Sequence, residues 1–584
     1  MNSSAAVQEK GSCGRAGSSV LGPLFLPLVA AVFFLAFAAR AEAADDGAGR
    51  PAAISQAEAI RIADRDPKVL GQREENGSLT SSADLDEGNW EVAYFAGGKE
   101  VALAIVDRHS GEVEESWTGY QVAWRMARGY EGQFGHKLNA PYVFLPLCAI
   151  FLLGLFDWRR RRRVANLDLL ALLGFGVSHY FFNQGEIGVS VPLQYPVLLY
   201  LLGRALWIGW RGRGEGLRPV WPARWLLIAA LFLMGFRVGL NLADSGAIDV
   251  GYASVVGADR ISHGEPIYDN FPEDVSSGDT YGPLNYLAYV PFELALPWSG
   301  GWDDLPAAHG AAVSFDLLAF GFLILLGLRI RPGPAGRRLA AVLAFGWAAY
   351  PYSAFALESN SNDTLVAVLL IATLLVLTKP LARGAVAAAA TWAKFAPAVL
   401  APMLLTYSPA AAATGGAEIG GVRERKPRPQ DTPKLRSAAL FALAFAAVSA
   451  LALAWPLLDP GLSTFYDRTI DYQTNRDSPF SVWGQTSLDP LRTVLVAATA
   501  ALSILFAFRP RTKSLLQVAA LGAALLLAIQ ITMDHWFYLY IVWFYPLFLV
   551  AVASLEVGSP PLRTACTSRS SEPRTAGPRP TRAS

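Results

Sequence analysis

The stretch PYVFLPLCAIFLLGLFDWRRRRR, residues 141–163, decides how the rest of the chain is read. Its apolar part, Pro141 to Trp158, is near the length that crosses a hydrocarbon layer of ~30 Å, and it ends in the arginine block Arg159 to Arg163. Cytoplasmic loops of membrane proteins collect Lys and Arg, so this end of the span is predicted inside and the residues before Pro141 outside. The composition agrees: 53% of the 584 residues are hydrophobic and 17% are charged, against roughly 25% charged in a soluble domain. Mean hydropathy is +0.31. Apolar stretches long enough to cross a bilayer recur as far as Val557, which excludes a soluble enzyme, a nucleic-acid binder and a disordered chain. Cys13, Cys148 and Cys566 are too scattered to suggest a disulfide framework or a Cys/His metal site.

Working outward toward the N-terminus, residues 1–44 read as a signal peptide or N-terminal anchor. Lys10 and Arg15 precede an apolar run from Leu21 to Ala39, and Ala41-Glu42-Ala43 supplies an A-x-A cleavage site. Residues 45–140 then form an extracytoplasmic region. Ile54, Ala57, Ile60, Ile62 and Ala63 mark an amphipathic helix ending near Asp66-Pro67. Strands are expected at Trp90 to Phe95, Val101 to Val106 and Val113 to Trp117, with turns at Gly97-Gly98 and His109-Ser110-Gly111. A helix followed by an antiparallel meander with a VDRHSGEV turn resembles the PepSY domains found outside bacterial membranes. A small α+β module with no chemistry of its own fits the same residues.

Toward the C-terminus, spans are expected at 141–158, 167–184, 190–210, 223–242, 306–329, 338–357, 363–378, 437–457, 490–508, 514–533 and 536–556. Residues 281–298 are interrupted by Pro283, Pro291 and Pro297 and read as a helix in the outer interface. Residues 384–405 are flanked by cations on both sides: Lys379 and Arg383 before, and Arg423, Arg425, Lys426, Arg428, Lys434 and Arg436 after. Two half-helices meeting near Lys394 and broken by Pro397 keep both flanks inside. The fold class is therefore mainly α: a polytopic helical membrane protein of the plasma membrane, with about eleven full spans, a broken-helix hairpin and a small extracytoplasmic α+β domain. Residues 141–221 form an N-terminal transmembrane extension, 222–556 the transmembrane core, and 557–584 a disordered basic cytoplasmic tail.

In this topology the polar segments 243–305, 358–363 (ESNSND), 458–489 and 534–536 all face outward. Carboxylates, arginines and aromatics on one face suit a ligand with a lipid end in the bilayer and a polar end in water. The segments IDVGYASVVGADRISHGEPIYDN (248–270), DTYGPLNYLAYVPFELALPW (279–298), SNDTLVAVLL (361–370), TWAKFAPAVLAPMLL (391–405) and FYDRTIDYQTNRDSPFSVWG (465–484) carry a resemblance. In this order they resemble the GT-C glycosyltransferases, and within them the bacterial polyprenyl-phosphate-mannose-dependent mannosyltransferases. The resemblance covers roughly 222–556 and implies transfer of a mannose-like hexose or a pentose from a polyprenyl-phosphate donor to a lipid-linked or cell-envelope glycan acceptor.

It also implies a base at Asp249, followed by Tyr252 in an xDxxxY pattern, with Asp244 as the substitute. One carboxylate suffices for an inverting transfer, because it need only accept the acceptor's hydroxyl proton. Candidates for binding the donor phosphate or substrate are Arg260, Tyr281, Lys394, Arg468, Arg476 and His535. Lys394 stands out, because an intramembrane ammonium is costly without a partner. Each has a plainer reading: Asp249 as a helix cap, Lys394 paired with Asp363 or a backbone carbonyl, Arg468 and Arg476 paired with Asp467, Asp471 or Asp477, and His535 as an interfacial residue. No D-x-D surrounds Asp249, so no cofactor or metal is implied, although Asp244 leaves a divalent metal open. A transporter or flippase of lipid-linked sugars, and a non-catalytic envelope assembly or sensing protein, are the alternatives. Internal repeats would mark the first, and the loops at 243–305 and 458–489 do not mirror each other.

Overall fold

A computed structural model describes residues 53–86, 88–123, 127–128, 135–212, 214, 216–302, 305–409, 434–476 and 478–555. The expected signal segment 1–44, the tail 557–584, Arg423, Arg425, Lys426, Arg428 and Asp477 lie outside the described residues.

The N-terminal unit contains α1 (Gln56–Ala63), α2 (Pro67–Asn76) and strands β1 (Thr80–Asp86), β2 (Asn89–Ala96), β3 (Lys99–Val106) and β4 (Val113–Thr118), paired antiparallel in the order β1-β2-β3-β4. Ala59, Ala63 and Val69 from the helices pack on Val92, Tyr94, Ala102, Ala104 and Val106. Two elements go beyond the sequence expectation of one helix and three strands. Asp66-Pro67, read as a helix end, also starts α2: the Asp66 carboxylate accepts from the Lys68 and Val69 N–H groups, and Pro67 fills the first helical position. β1 (TSSADLD) has no apolar alternation to betray it, since among its side chains Ala83 alone reaches that core. At the VDRHSGEV turn, Asp107 accepts from the His109 and Ser110 N–H groups, and Gly111 takes φ +70°.

The rest is a helical bundle: α3 (Pro141–Leu155), α4 (Val164–Asn183), α5 (Ile187–Arg211), α6 (Ala223–Ala243), α7 (Asp249–His263), α8 (Pro283–Ala295), α9 (Pro306–Ile330), α10 (Gly333–Ala349), α11 (Pro351–Glu358), α12 (Asp363–Leu375), α13 (Pro380–Ala393), α14 (Lys434–Leu458), α15 (Asp489–Phe508), α16 (Leu515–Thr532) and α17 (Ile541–Ser554), besides shorter helical turns. Among the described residues seven helices are long and apolar enough to cross a membrane, and eight if α10 and α11, bent by 56°, form one span. The expected eleven full spans are not reached. A helix stands at each expected position, but Pro141–Leu155, Asp363–Leu375 and Tyr538–Ser554 are only 10 to 17 residues long, short of the ~20 that span a bilayer. Burial grades the bundle: α16 is 78% buried and lies at its centre, whereas the α14 span is 11% buried. Leu435, Leu443, Leu451 and Leu458 of α14 are exposed, as on a lipid-facing helix.

The bend between α10 and α11 has a specific cause. Pro351 has no N–H to give the Trp347 carbonyl, whose remaining backbone donor is the Tyr350 N–H at a long 3.4 Å. The Ser353 hydroxyl donates to that carbonyl at 2.6 Å and the Arg237 guanidinium at 3.2 Å. Arg237, on α6, also donates to Asp316 on α9 at 2.9 Å, and the Trp347 indole donates to the same carboxylate oxygen at 2.8 Å. Arg237 is 2% exposed and Asp316 0%. Removing one member leaves a buried charge without its partner, so Arg237→Met is expected to destabilise the protein by about 3–5 kcal/mol. The double variant Arg237→Met/Asp316→Leu should recover much of that loss in thermal unfolding of the detergent-solubilised chain.

Candidate functional site

The polar segments expected on one face do meet. The Ile248 N–H, just before α7, donates to the Ser359 carbonyl at 3.0 Å. Inside α7, the Ser254 hydroxyl accepts from Asn285 of α8 at 2.8 Å and from Asn362 at 3.2 Å. Gly251 makes this approach possible, because a Cβ there would stand 2.2 Å from the Asn360 carbonyl oxygen. Segment 458–489 is clamped onto the α7–α8 region by Arg468, which holds the fully buried Asp279 carboxylate with two bonds of 2.6 and 2.7 Å. Ser478 from the same segment lies 2.9 Å from Nδ1 of His535.

Glu358 to Asp363, expected as a wet external corner, is instead buried at every position. Protein partners take up part of its polar surface, while Oε1 of Glu358, Oγ of Ser359, Oδ1 of Asn362 and Oδ2 of Asp363 have no hydrogen-bond partner among the described residues. Asn360 adopts a left-handed backbone (φ +46°), which Asn tolerates better than most residues. Its amide donates to Ser245 at 3.1 Å and to the Gly246 carbonyl at 3.0 Å, and its side-chain oxygen accepts from Asn241 at 2.9 Å. Gly135, in the linker from the N-terminal unit, packs against Glu358.

At this junction α13 ends. Lys394 terminates it in an extended conformation, and helix resumes only as a 3-10 turn over Ala396–Leu400 and a short helix over Ala401–Leu405, so the expected break falls at Lys394. The Lys394 ammonium contacts Oδ1 of Asp363 at 2.5 Å, and the Trp543 indole donates to the same oxygen at 2.8 Å. The rings of Tyr281, Tyr540 and Trp543 surround the ammonium at 5.2, 5.5 and 5.2 Å, within cation–π range. Lys394 thus has the Asp363 partner that its plainer reading foresaw.

Asp249 is the first residue of α7, half-buried, with its carboxylate accepting from the Val250 N–H at 2.9 Å. Burial raises its proton affinity above the ordinary carboxylate range. Arg476, the Val250 N–H and Lys394 pull the other way, and Asp363 adds to the rise. The Arg476 charge is close enough to act on Asp249, Tyr281, Tyr540 and His535, and its guanidinium rests 5.9 Å from the Tyr472 ring. His535 is pushed well below its usual range by burial, then by Arg476 and Lys394, so it is a neutral imidazole and not a third cation.

Of the residues singled out in the sequence, the fold gathers Asp249, Tyr281, Lys394, Arg476 and His535 into one cluster. The others lie elsewhere. Arg260 pairs with Glu265 at the far end of α7, Arg468 is committed to Asp279, and Asp244 is 3.2 Å from Lys137. Tyr540 and Trp543 went unnoticed in the sequence, because the apolar run around them offered no contrast. Two buried acceptors in the cluster region, Oδ2 of Asp363 and Oδ1 of Asn362, have no hydrogen-bond partner among the described residues. No group of three or more His, Cys, Asp or Glu side chains among the described residues converges as a metal site.

Chemically, the cluster sets a carboxylate of raised proton affinity against two cations, one of them already neutralised by Asp363. The chain matches no protein-family model and no curated protein.

The close approach at Gly251 is open to a direct test. Gly251→Ala should force α7 away from the 358–363 corner and destabilise the protein by ~1–3 kcal/mol, the usual cost of overpacking. The same change at Gly235, where an added Cβ meets no atom within 4 Å, should be nearly neutral. Thermal unfolding of the two variants side by side is the check.

Proposed function

We propose that the protein is an integral membrane glycosyltransferase. It moves a mannose-like hexose or a pentose from a polyprenyl-phosphate donor to a hydroxyl of an envelope or lipid-linked acceptor, with inversion, on the extracytoplasmic face. The observation that carries this reading is the Asp249 carboxyl at the start of α7, within electrostatic reach of the Arg476 and Lys394 cations. In the proposed step the acceptor oxygen bonds to the anomeric carbon as the bond from that carbon to the phosphate oxygen breaks. The acceptor's proton passes to Asp249, and the departing polyprenyl phosphate keeps the electron pair. Arg476 is the cation suited to that phosphate, since the Lys394 charge is balanced by Asp363. The unpartnered oxygens of Asp363 and Asn362 can accept hydrogen bonds from sugar hydroxyls.

One observation favours a second reading, a flippase of lipid-linked sugars. The α10–α11 bend and the break at Lys394 each hold a buried ion pair, and broken helices with buried charge also build transporter sites.

The test is an assay of purified protein with labelled polyprenyl-phosphate sugars. Asp249→Asn should lower transfer by about 10²–10⁴-fold, the range expected for a lost general base. The working base is the ionised carboxylate, so transfer should rise with pH and its acid limb should lie above the range of an ordinary carboxylate. Equal transfer by wild type and Asp249→Asn would remove the catalytic assignment. Donor movement across vesicles without transfer would favour the flippase.

A further inference from the structure

Away from this site, an apolar groove of about 470 Å³ opens on the bundle surface between α3 and α6. Leu153 and Gly154 of α3, Trp221, and Trp225 and Ala229 of α6 form its sides, and Phe345 of α10 reaches its floor. Gly154 sets the depth, because a Cβ there would stand 2.1 Å from the Phe345 ring. Leu153, Trp221 and Trp225 are each about half exposed (52%, 48% and 52%), so the lining is presented outward. The walls are fixed: the Trp221 indole donates to the Leu153 carbonyl at 2.8 Å, and Arg338 donates to the Pro219 carbonyl at 2.9 Å.

One end of this groove is cationic. Arg159, Arg160, Arg161 and Arg162 follow α3 and are exposed, and so are Arg218 and Arg224 beside the two tryptophans. The Arg224 guanidinium lies 5.6 Å from the Trp225 ring. Paired exposed tryptophans mark headgroup depth in a bilayer, which sets the apolar groove at acyl-chain level and the arginines at phosphate level. We propose that this groove is a binding site for an anionic membrane phospholipid, with one acyl chain along the groove over Phe345 and the headgroup phosphate among the arginines. Charge complementarity selects the occupant: a zwitterionic headgroup fills the apolar part equally well but gains little from the arginines.

The experiment reconstitutes the full chain in phosphatidylcholine vesicles containing a brominated-tail lipid, either phosphatidylglycerol or phosphatidylcholine. Quenching at the groove is the difference between wild type and Trp221→Phe/Trp225→Phe. Brominated phosphatidylglycerol is expected to be preferred by about fivefold for each arginine engaged. Salt should weaken that preference, and it should be lost in Arg160→Gln/Arg161→Gln/Arg224→Gln. Equal quenching by the two lipids overturns the proposal. So does displacement of brominated phosphatidylglycerol by polyprenyl phosphate at a tenfold lower mole fraction, which would make the groove a donor-lipid site. If the arginine variant fails to fold, the lipid preference and its salt dependence, each read as the difference between wild type and Trp221→Phe/Trp225→Phe, still decide the outcome.

Discussion

The ion pair between Lys394 and Asp363 is the constraint on which the candidate site depends. Both side chains are almost fully buried, and two charges at such depth persist only if each satisfies the other. The pair ties the start of α12 to the end of α13, where the backbone leaves the helix. Trp543 brings α17 to the same carboxylate, and Tyr281 and Tyr540 close around the ammonium. Segments distant in sequence thereby converge on one point. Asp249 and Arg476 then stand beside a pair whose charges already cancel.

A second buried pair, Arg237 with Asp316, has a different task. It fills the gap that Pro351 opens in the α10–α11 helix, supplying donors to a carbonyl that has lost its helical partner. Helices can be interrupted inside an apolar bundle only when the freed backbone groups find such partners. The arrangement at Arg237 therefore explains a bend, whereas the arrangement at Lys394 assembles polar groups around a break. That contrast is why the second location is read as the site.

Much of this was legible in the sequence, for identifiable reasons. Apolar runs and arginine blocks located the helices, because hydropathy and charge placement are local properties. The break at Lys394 followed from two cationic flanks and Pro397. Convergence of the 243–305, 358–363, 458–489 and 534–536 segments followed from topology. What stayed hidden depends on partners far along the chain. Arg237 and Asp316 are 79 positions apart, and each is one polar residue in an apolar run. The ESNSND corner looked wet because its composition is polar, but Asn241, Ser245 and Ser254 supply the hydrogen bonds that let it be buried. The full-span count is not reached because α3, α12 and α17 are too short, and of these α12 begins at that corner.

The claim that the Lys394–Asp363 pair organises the site is tested most directly by a double-mutant cycle in the detergent-solubilised protein, using Lys394→Met, Asp363→Leu and the combination. Each single change should destabilise unfolding by about 3–5 kcal/mol. The double variant should cost far less than their sum, giving a coupling of ~2 kcal/mol or more. Additive losses would contradict the account, because they would mean that the two charges stand in the bundle independently of each other.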